Sequence, residues 1–204
     1  MGKEPVNRRY AAIILSAGMS ERMGVPKFSL MADRDKTFIE YLVNDYYNFG
    51  CREIIVVLNP DGDKLFESLN LKLRSKIRLA INEHTEWGRF YSLKTGARRL
   101  EDLNPAFVSN IDNPFAGARV LRKLVSHLGN FDYLFPSFNM KGGHPFLISK
   151  EIVFGLLNEP EDQIHLKEFL NRYPSKAVEV DDERVLVNVN TEEDYRNFND
   201  YIIS

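Results

Sequence analysis

The sequence predicts an α/β fold in which a mostly parallel sheet carries helices on both faces, so that the layers follow the order α/β/α. Short apolar runs rich in β-branched residues alternate with segments whose apolar residues recur at helical spacing. Several of these runs are apolar at every position, which indicates strands buried on both faces. With 204 residues, of which 44% are hydrophobic, the chain is long enough to bury a sizeable core in one domain.

The first half of the chain alternates regularly between strand and helix. Gly50 is a natural end for a helix, and residues 59–62 (Asn-Pro-Asp-Gly) have the composition of a turn. The predicted strands are residues 10–16, 53–58, 77–81 and 106–111, and the predicted helices are residues 37–49, 64–73, 92–103 and 118–128.

The second half is less regular, and it contains no repeat, low-complexity stretch or linker. Thr191 and Asp194 form a predicted capping box that opens a last helix running to Ile202. Before it, the predicted strands are residues 133–136, 145–149, 177–180 and 184–189, and the predicted helices are residues 150–157 and 164–171.

Charge and composition exclude several classes of function. The formal net charge is −2, so no basic field would gather nucleic acid or anionic lipid. The apolar run of six residues from Tyr10 to Leu15 is far shorter than the roughly 20 residues of a membrane helix. Arg8 and Arg9 before this run give it a weak similarity to a secretory signal peptide, but charged residues follow the run closely. We therefore expect a buried strand and a cytoplasmic protein. Cys51 is the only cysteine, which excludes an internal disulfide.

The loop after the first strand carries the strongest functional pattern. In a parallel sheet, ligands bind beyond the carboxyl ends of the strands, and this loop lies at that edge. Gly18 and Gly24 allow close backbone approach to an anion, Arg22 offers a forked donor and Lys27 a compact positive charge. The spacing matches neither a Walker loop nor a dinucleotide fingerprint. The loop therefore predicts phosphate binding by a motif other than these two. The alternative is an ordinary strand-to-helix loop with exposed charges.

The residues of this loop, Leu15-Ser-Ala-Gly-x-Ser-x-Arg-Met-Gly-x-Pro-Lys27, resemble the signature of the MobA-like nucleotidyltransferases, which include molybdopterin cytidylyl- and guanylyltransferases. Further resemblances follow in the family's order: Gly88-x-x-x-Ser92-Leu-x-x-Gly96, Asp112-Asn-Pro114, Gly143-His-Pro145 and Asn188-Val-Asn190-Thr-Glu-Glu-Asp194. The resemblance implies a Rossmann-like fold of the nucleotide-diphospho-sugar transferase type. It also implies a single domain over residues 1–204, with a nucleotide-binding half at about 8–115 and an acceptor-binding half at about 116–204.

The activity that the resemblance implies is transfer of a nucleotidyl group from an NTP to a small phosphorylated or hydroxylated acceptor, with release of pyrophosphate. Lys27, Arg22 and Asp112 would be catalytic, and Gly143 and His144 would bind the acceptor. Asp112 and Asn190 would hold Mg²⁺, or Mn²⁺ in its place. The residues implied to bind nucleotide are Leu15, Ser16, Ala17, Gly18, Arg22, Lys27 and Ser92. In the molybdopterin branch an Ala-Gly pair accompanies CTP and a Gly-Gly pair GTP, so Ala17-Gly18 favours CTP.

Alternatives remain open at several of these positions. Asp112 before Asn-Pro is also a turn former, Ser92 is also a helix cap, and His144 between Gly and Pro also shapes a turn. Asn188 and Asn190 stand where many members of the family have aspartates. An asparagine amide is neutral and brings no charge to a bound metal ion. A sugar-phosphate, alcohol-phosphate or phosphocholine nucleotidyltransferase is the nearest alternative, and a catalytically weak nucleotide-binding module is another. Monomer and homodimer are both compatible with the sequence.

Overall fold

The structure, a computed structural model, describes residues 10–18, 23–69, 71–72 and 74–203, with side chains through Phe198. The strands are β1 (Ala11–Leu15), β2 (Glu53–Leu58), β3 (Ile77–Ile81), β4 (Ala106–Asn110), β5 (Tyr133–Phe138), β6 (Lys141–Gly142), β7 (Phe146–Ile148) and β8 (Ser175–Glu179). The helices are α1 (Phe38–Phe49), α2 (Pro60–Ser68), α3 (Gly88–Ala97), α4 (Ala118–Val125), α5 (Lys150–Asn158), α6 (Leu166–Leu170) and α7 (Glu192–Ile203).

The strands form one sheet in the order β3-β2-β1-β4-β7-β5-β6, with β8 paired to β5. β1 pairs in parallel with β2 and with β4, and β2 pairs in parallel with β3. β7 runs antiparallel between β4 and β5, and β8 is parallel to β5. The prediction of a mostly parallel sheet is confirmed. The antiparallel strand β7 lies between the first four strands and the group formed by β5, β6 and β8.

Helices cover both faces of the sheet, which explains why every residue of β1 and β2 is buried. Ile14 and Val56 point to the face packed by α1, α2, α4 and α7. Ile13 and Ile55 point to the opposite face, which is packed by α3, α5 and α6. Because successive side chains of a strand point to opposite faces, continuous apolar runs are what a sheet covered on both sides requires.

Gly96 lets α3 lie close to the sheet. A Cβ atom at this position would come within 2.6 Å of Ile13 Cγ2 and 2.9 Å of Val57 Cγ2. Both contacts are shorter than side chains tolerate, so the last glycine of the Gly-x-x-x-Ser-Leu-x-x-Gly stretch is a packing requirement. This approach fixes where the beginning of α3 stands relative to the ends of β1 and β2.

Three predictions of local structure are wrong. α2 begins at Pro60 rather than at residue 64, because Asn59 Oδ1 accepts a hydrogen bond from Gly62 N at 2.6 Å and caps the helix. α3 occupies 88–97 rather than 92–103. Residues 184–189 are not a strand: a short 3-10 helix covers Glu183–Leu186, and Asp182 caps it by accepting from Arg184 N. The other predicted elements agree with the structure to within three residues at either end.

The last helix begins as predicted. Asp194 N donates to Thr191 Oγ1 at 3.1 Å, and Thr191 N donates to Asp194 Oδ2 at 2.8 Å, which completes the capping box. Among the described residues, no helix combines the length and the apolar character needed to cross a bilayer.

Candidate active site

The carboxyl ends of the four parallel strands lie along one edge of the sheet. Leu15, the last residue of β1, is in register with Val57 of β2 and with Asn110 of β4. Beyond the strands the pairing continues for one step, because Ser16 N donates to Val57 O at 2.8 Å and Ile111 N donates to Leu15 O at 3.0 Å. The loops that leave β1 and β4 therefore start side by side.

The loop after β1 presents its backbone at this edge. Ser16 and Ala17 are buried, at 7% and 4% exposure, and Asn59 Nδ2 donates to Ala17 O at 3.2 Å. A Cβ atom on Gly18 would meet nothing within 4 Å, so there is open space beside this glycine. Gly24 has φ +66°, a conformation that favours glycine. Arg22 lies outside the described residues, so its phosphate contact stays a prediction.

Lys27, Asp112 and Asn190 come together although they are far apart in sequence. Lys27 Nζ donates to Asn190 Oδ1 at 2.8 Å and lies 3.9 Å from Asp112 Oδ2. Lys27 begins a short 3-10 helix whose next residue, Phe28, is buried in the core and anchors the lysine backbone. The side chains of Lys27 and Asp112 are 13% and 23% exposed, so solvent screens their charges only in part. The structure thus places the ammonium of Lys27 and the carboxylate of Asp112 beside the loop that leaves β1.

Asp112 has an oxygen without a partner. Its Oδ1 is buried and has no hydrogen bond to any described residue, whereas its backbone carbonyl accepts from Val189 N at 2.8 Å. A buried carboxylate oxygen without a donor is unfavourable unless a ligand satisfies it, and hard divalent cations prefer such oxygens. Asp112 Oδ1 therefore fits the role of one oxygen ligand to a metal ion. Within the described ranges, no group of three or more His, Cys, Asp and Glu side chains is placed to hold a metal.

The segment that carries Asn190 is fixed by the beginning of α7. Asp194 Oδ2 accepts from Asn190 N at 2.9 Å and from Thr191 N at 2.8 Å. The hydrogen bond from the backbone of Asn190 is the main reason why the pKa of Asp194 is lowered, and the charge of Lys27 adds to the effect. This arrangement holds the Asn190 side chain against Lys27. No observation tests its predicted metal contact, which stays a prediction.

His144 reaches the same edge from the antiparallel part of the sheet. Its Nε2 lies 3.1 Å from Asn110 Nδ2, at the end of β4, and its backbone N donates to Val185 O at 2.9 Å. Burial lowers the pKa of His144, the charge of Arg89 lowers it further, and Asp112 opposes them. Asn110 was not among the residues that the sequence singled out. The signal was its position near the end of a predicted strand, two residues before Asp112.

Gly143 lies against the chain segment before α7. A Cβ atom on Gly143 would overlap Val185 O, so no side chain fits there. Gly143 N donates to Pro136 O at 2.8 Å. The close approach to Val185 explains why a glycine follows β6.

Ser92 is a residue of the helix interior rather than a cap, because α3 begins at Gly88. It is 8% exposed, and its Oγ accepts from Asn82 Nδ2 at 2.8 Å and donates to Gly88 O at 3.3 Å. Asn82, directly after β3, is fully buried and also accepts from His84 N at 2.8 Å. The sequence analysis did not single out Asn82. The two side chains fix the loop between β3 and α3, and no observation tests a contact of Ser92 with a nucleobase.

An aromatic group stands in that same loop. The rings of His84 and Trp87 stack with their centroids 4.0 Å apart, and Tyr91 packs edge-on against Trp87 at 4.7 Å. Trp87 is half-buried and is the only tryptophan of the chain. Its fluorescence therefore reports on the loop between β3 and α3.

Comparison with known proteins decides the family. The model of the MobA-like NTP transferase domain matches residues 12–178. The chain belongs to the MobA-like NTP transferase family. Both the fold of the nucleotide-diphospho-sugar transferase type and the transferase class that the sequence resemblance implied are confirmed.

Relatives and solved structures agree with this membership in the MobA-like family. A molybdenum cofactor cytidylyltransferase of Escherichia coli is 26% identical over 183 residues, which cover 90% of this chain and 92% of the relative. A probable molybdenum cofactor guanylyltransferase of Methanosarcina mazei is 25% identical over 207 residues, covering 96% and 92%. The structure of Rv0371c from Mycobacterium tuberculosis superposes with a TM-score of 0.77 at 23% identity, covering 93% and 96% of the two chains. A second structure of Rv0371c, in complex with manganese, gives 0.73 at 20% identity, covering 93% and 97%.

Proposed function

We propose that this member of the MobA-like family transfers CMP from CTP to a small phosphorylated or hydroxylated acceptor and releases pyrophosphate. The observation that carries the proposal is the meeting of Lys27, Asp112 and Asn190 beside the loop that leaves β1. The ammonium of Lys27 supplies positive charge for the α-phosphate of the triphosphate. The carboxylate of Asp112, whose Oδ1 has no partner, supplies an oxygen ligand for the metal ion bound to that triphosphate.

The reaction is an in-line displacement at the α-phosphorus, and it needs no covalent intermediate on the protein. Lys27 donates to an oxygen of the α-phosphoryl group, where negative charge grows as the acceptor oxygen attacks and the bond to pyrophosphate breaks. Asp112 and Asn190 would hold the divalent cation, Mg²⁺ or Mn²⁺. When bound, that cation neutralises phosphate oxygens and favours departure of pyrophosphate. Arg22 contacts the β- and γ-phosphates in this proposal.

The choice of CTP rests on Ala17. In this proposal the methyl group of Ala17, beside Gly18 at the beginning of the loop, narrows the space for a purine. The hydrogen bond from Asn59 to Ala17 O fixes the backbone there. The E. coli relative is named a cytidylyltransferase and the M. mazei relative a probable guanylyltransferase, so the relatives do not decide the base.

The acceptor lies on the side of the site formed by Gly143 and His144. Because its lowered pKa keeps His144 neutral near pH 7, the imidazole there is a hydrogen-bond partner rather than a charge. Asn110 contacts Nε2 and orients the ring. His144 thereby orients the attacking oxygen of the acceptor beside Asp112.

A catalytically weak nucleotide-binding module is the second candidate, and one observation favours it. Asn190 brings no charge to the cation, and its Oδ1 is engaged by Lys27. A site with one carboxylate binds a divalent cation less tightly than a site with two.

The test measures binding and chemistry separately. Isothermal titration calorimetry with Mg²⁺ compares CTP with GTP, and preferential binding of GTP would overturn the choice of base. Pyrophosphate release is then measured with CTP and a panel of phosphorylated and hydroxylated acceptors. Acceptor-dependent release supports the transferase, whereas tight CTP binding without release from any acceptor supports the module. Asp112→Asn is the negative control for pyrophosphate release, because it keeps the volume of the side chain and removes its charge.

A further inference from the structure

Asn113, directly after Asp112, is a buried asparagine that the proposed function does not use. It is 1% exposed, and each polar atom of its side chain has a partner. Its Nδ2 donates to Val185 O at 3.0 Å and to Arg184 O at 3.2 Å, and its Oδ1 accepts from Phe115 N at 3.1 Å. Because both partners of Nδ2 are carbonyls and the partner of Oδ1 is an N–H group, the surroundings fix the orientation of this amide.

The carbonyl of Val185 joins this asparagine to His144. Val185 O accepts from Asn113 Nδ2 at 3.0 Å and from His144 N at 2.9 Å, so one oxygen holds two segments of the chain. We call this oxygen and its two donors the carbonyl junction. A Cβ atom on Gly143 would overlap the same oxygen, so the backbone before His144 lies directly against the junction.

His144 is thereby held at both ends by residues that flank Asp112. At the ring, its Nε2 lies 3.1 Å from Asn110 Nδ2. At the backbone, its N–H group is linked to Asn113 by the carbonyl junction. Asp112 has a contact of its own, because its backbone carbonyl accepts from Val189 N at 2.8 Å. The distance from His144 to Asp112 therefore depends on the asparagines before and after this aspartate.

We propose that Asn113 is a positioning residue, which sets the place of His144 relative to Asp112 through the carbonyl junction. A buried amide that donates to two carbonyls holds both segments in one arrangement, because a displacement would leave polar groups unpaired. The inference rests on the proposed function, in which Asp112 holds the cation and His144 orients the attacking oxygen. Asn113 thus fixes the approach of the acceptor to the α-phosphate without contacting substrate itself.

Asn113→Ser tests the junction in the ligand-free protein. A serine hydroxyl still accepts from Phe115 N and keeps the local turn, but it is too short to reach the carbonyl of the junction. Hydrogen exchange of the His144 amide, followed by NMR, should become about tenfold faster, because the carbonyl that accepts from it is no longer fixed. The amide of Ile13 in β1 should keep its wild-type rate.

A second substitution and a control make the result independent of how well Asn113→Ser folds. Gly143→Ala presses a methyl group against the same carbonyl from the other side, so it should also accelerate exchange of the His144 amide. Asn158→Ala is the matched control, because it removes an amide that donates to one backbone carbonyl on α5, Phe154 O at 2.8 Å. Exchange of the His144 amide in this control should equal that of the wild type.

Turnover and binding separate positioning from a general loss of structure. With the acceptor of the panel that supports the fastest pyrophosphate release, Asn113→Ser should lower kcat about tenfold or more, because a small displacement of reacting groups is costly. The binding probe is a CTP analogue whose bridging oxygen between the α- and β-phosphates is a methylene group. Its affinity in the presence of Mg²⁺ should stay within about twofold of the wild type, because the junction lies on the acceptor side.

A double variant tests whether Asn113 acts through His144. If it does, Asn113→Ser should lower kcat no further once His144→Gln is present. Losses that multiply in the double variant would overturn the inference. A wild-type exchange rate of the His144 amide in either Asn113→Ser or Gly143→Ala would also overturn it, and so would equal acceleration of the amides of His144 and Ile13, which marks a purely structural role.

Failure of the proposed function has another signature. In that case the analogue does not bind, or the wild type releases no pyrophosphate with any acceptor of the panel. The exchange experiment needs neither nucleotide nor acceptor, so it still decides whether Asn113 holds His144.

Discussion

Replacing Lys27 by methionine tests the role of this residue in the chemical step. Methionine keeps most of the apolar stem and removes the ammonium that donates to Asn190 Oδ1 at 2.8 Å. Growth of about half a charge on a phosphate oxygen 3–4 Å from Nζ, at an effective dielectric constant of about 20, corresponds to about 2–3 kcal/mol. That free energy converts into a fall in kcat of about 30- to 150-fold.

The assay is steady-state pyrophosphate release, and CTP affinity is measured in parallel from the fluorescence of Trp87. KM for CTP should change by less than about threefold, because the ammonium acts more strongly in the transition state than in the ground state. Lys64→Met is the matched control, since it removes the same charge from a side chain on α2 that is 81% exposed. Its kinetics should equal those of the wild type. Equal losses in CTP affinity and in kcat for Lys27→Met would refute the reasoning.

Three further predictions concern the metal contact, the packing of α3 and the histidine. Asp112→Asn should remove nearly all turnover, by about 10³-fold, while the thermal unfolding midpoint stays near that of the wild type; retention of a tenth of the activity would exclude the metal role. Gly96→Ala should lower the free energy of unfolding in urea by about 1–2 kcal/mol, because overpacking against Ile13 and Val57 outweighs the better helix propensity of alanine; equal stability would contradict the packing argument. Burial lowers the pKa of His144 in the folded protein, so the unfolded chain takes up this proton first as the pH falls. Stability should therefore decline from neutral pH down through about pH 6.5, and His144→Gln should flatten that decline; an unchanged slope would show that another group is responsible.

Much of the fold followed from local sequence patterns. β2 and β3 have the predicted bounds, and in β2 a continuous apolar run from Ile54 to Leu58 is followed directly by turn residues. The beginning of α2 was missed because the same Asn-Pro-Asp-Gly residues serve as a turn or as a helix cap with proline at the first position. Only the tertiary position of Asn59, whose amide also donates to Ala17 O, distinguishes the two.

Much of the candidate site also followed from the sequence, because its residues occupy the loops after predicted strands. Lys27 follows the first predicted strand and Asp112 follows the fourth, and the two meet where these parallel strands end. The bond from Lys27 to Asn190 links positions 163 residues apart, and no periodicity of the sequence encodes such a contact. Asn82, which is buried, and Asn110, which is partly buried, were missed because an asparagine at a strand end has no pattern of its own. Their roles depend on partners, Ser92 and His144, that other elements bring to them.

A crystal structure with the methylene analogue of CTP and Mg²⁺ tests the central claim most directly. The triphosphate should lie along the backbone of Ala17 and Gly18, with Lys27 Nζ within hydrogen-bond distance of an α-phosphate oxygen and the cation on Asp112 Oδ1. A triphosphate bound elsewhere would contradict the account. The place to look is the opposite edge of the sheet, where Lys76 and Arg78 line a cavity of about 570 Å³ at the beginning of β2 and β3.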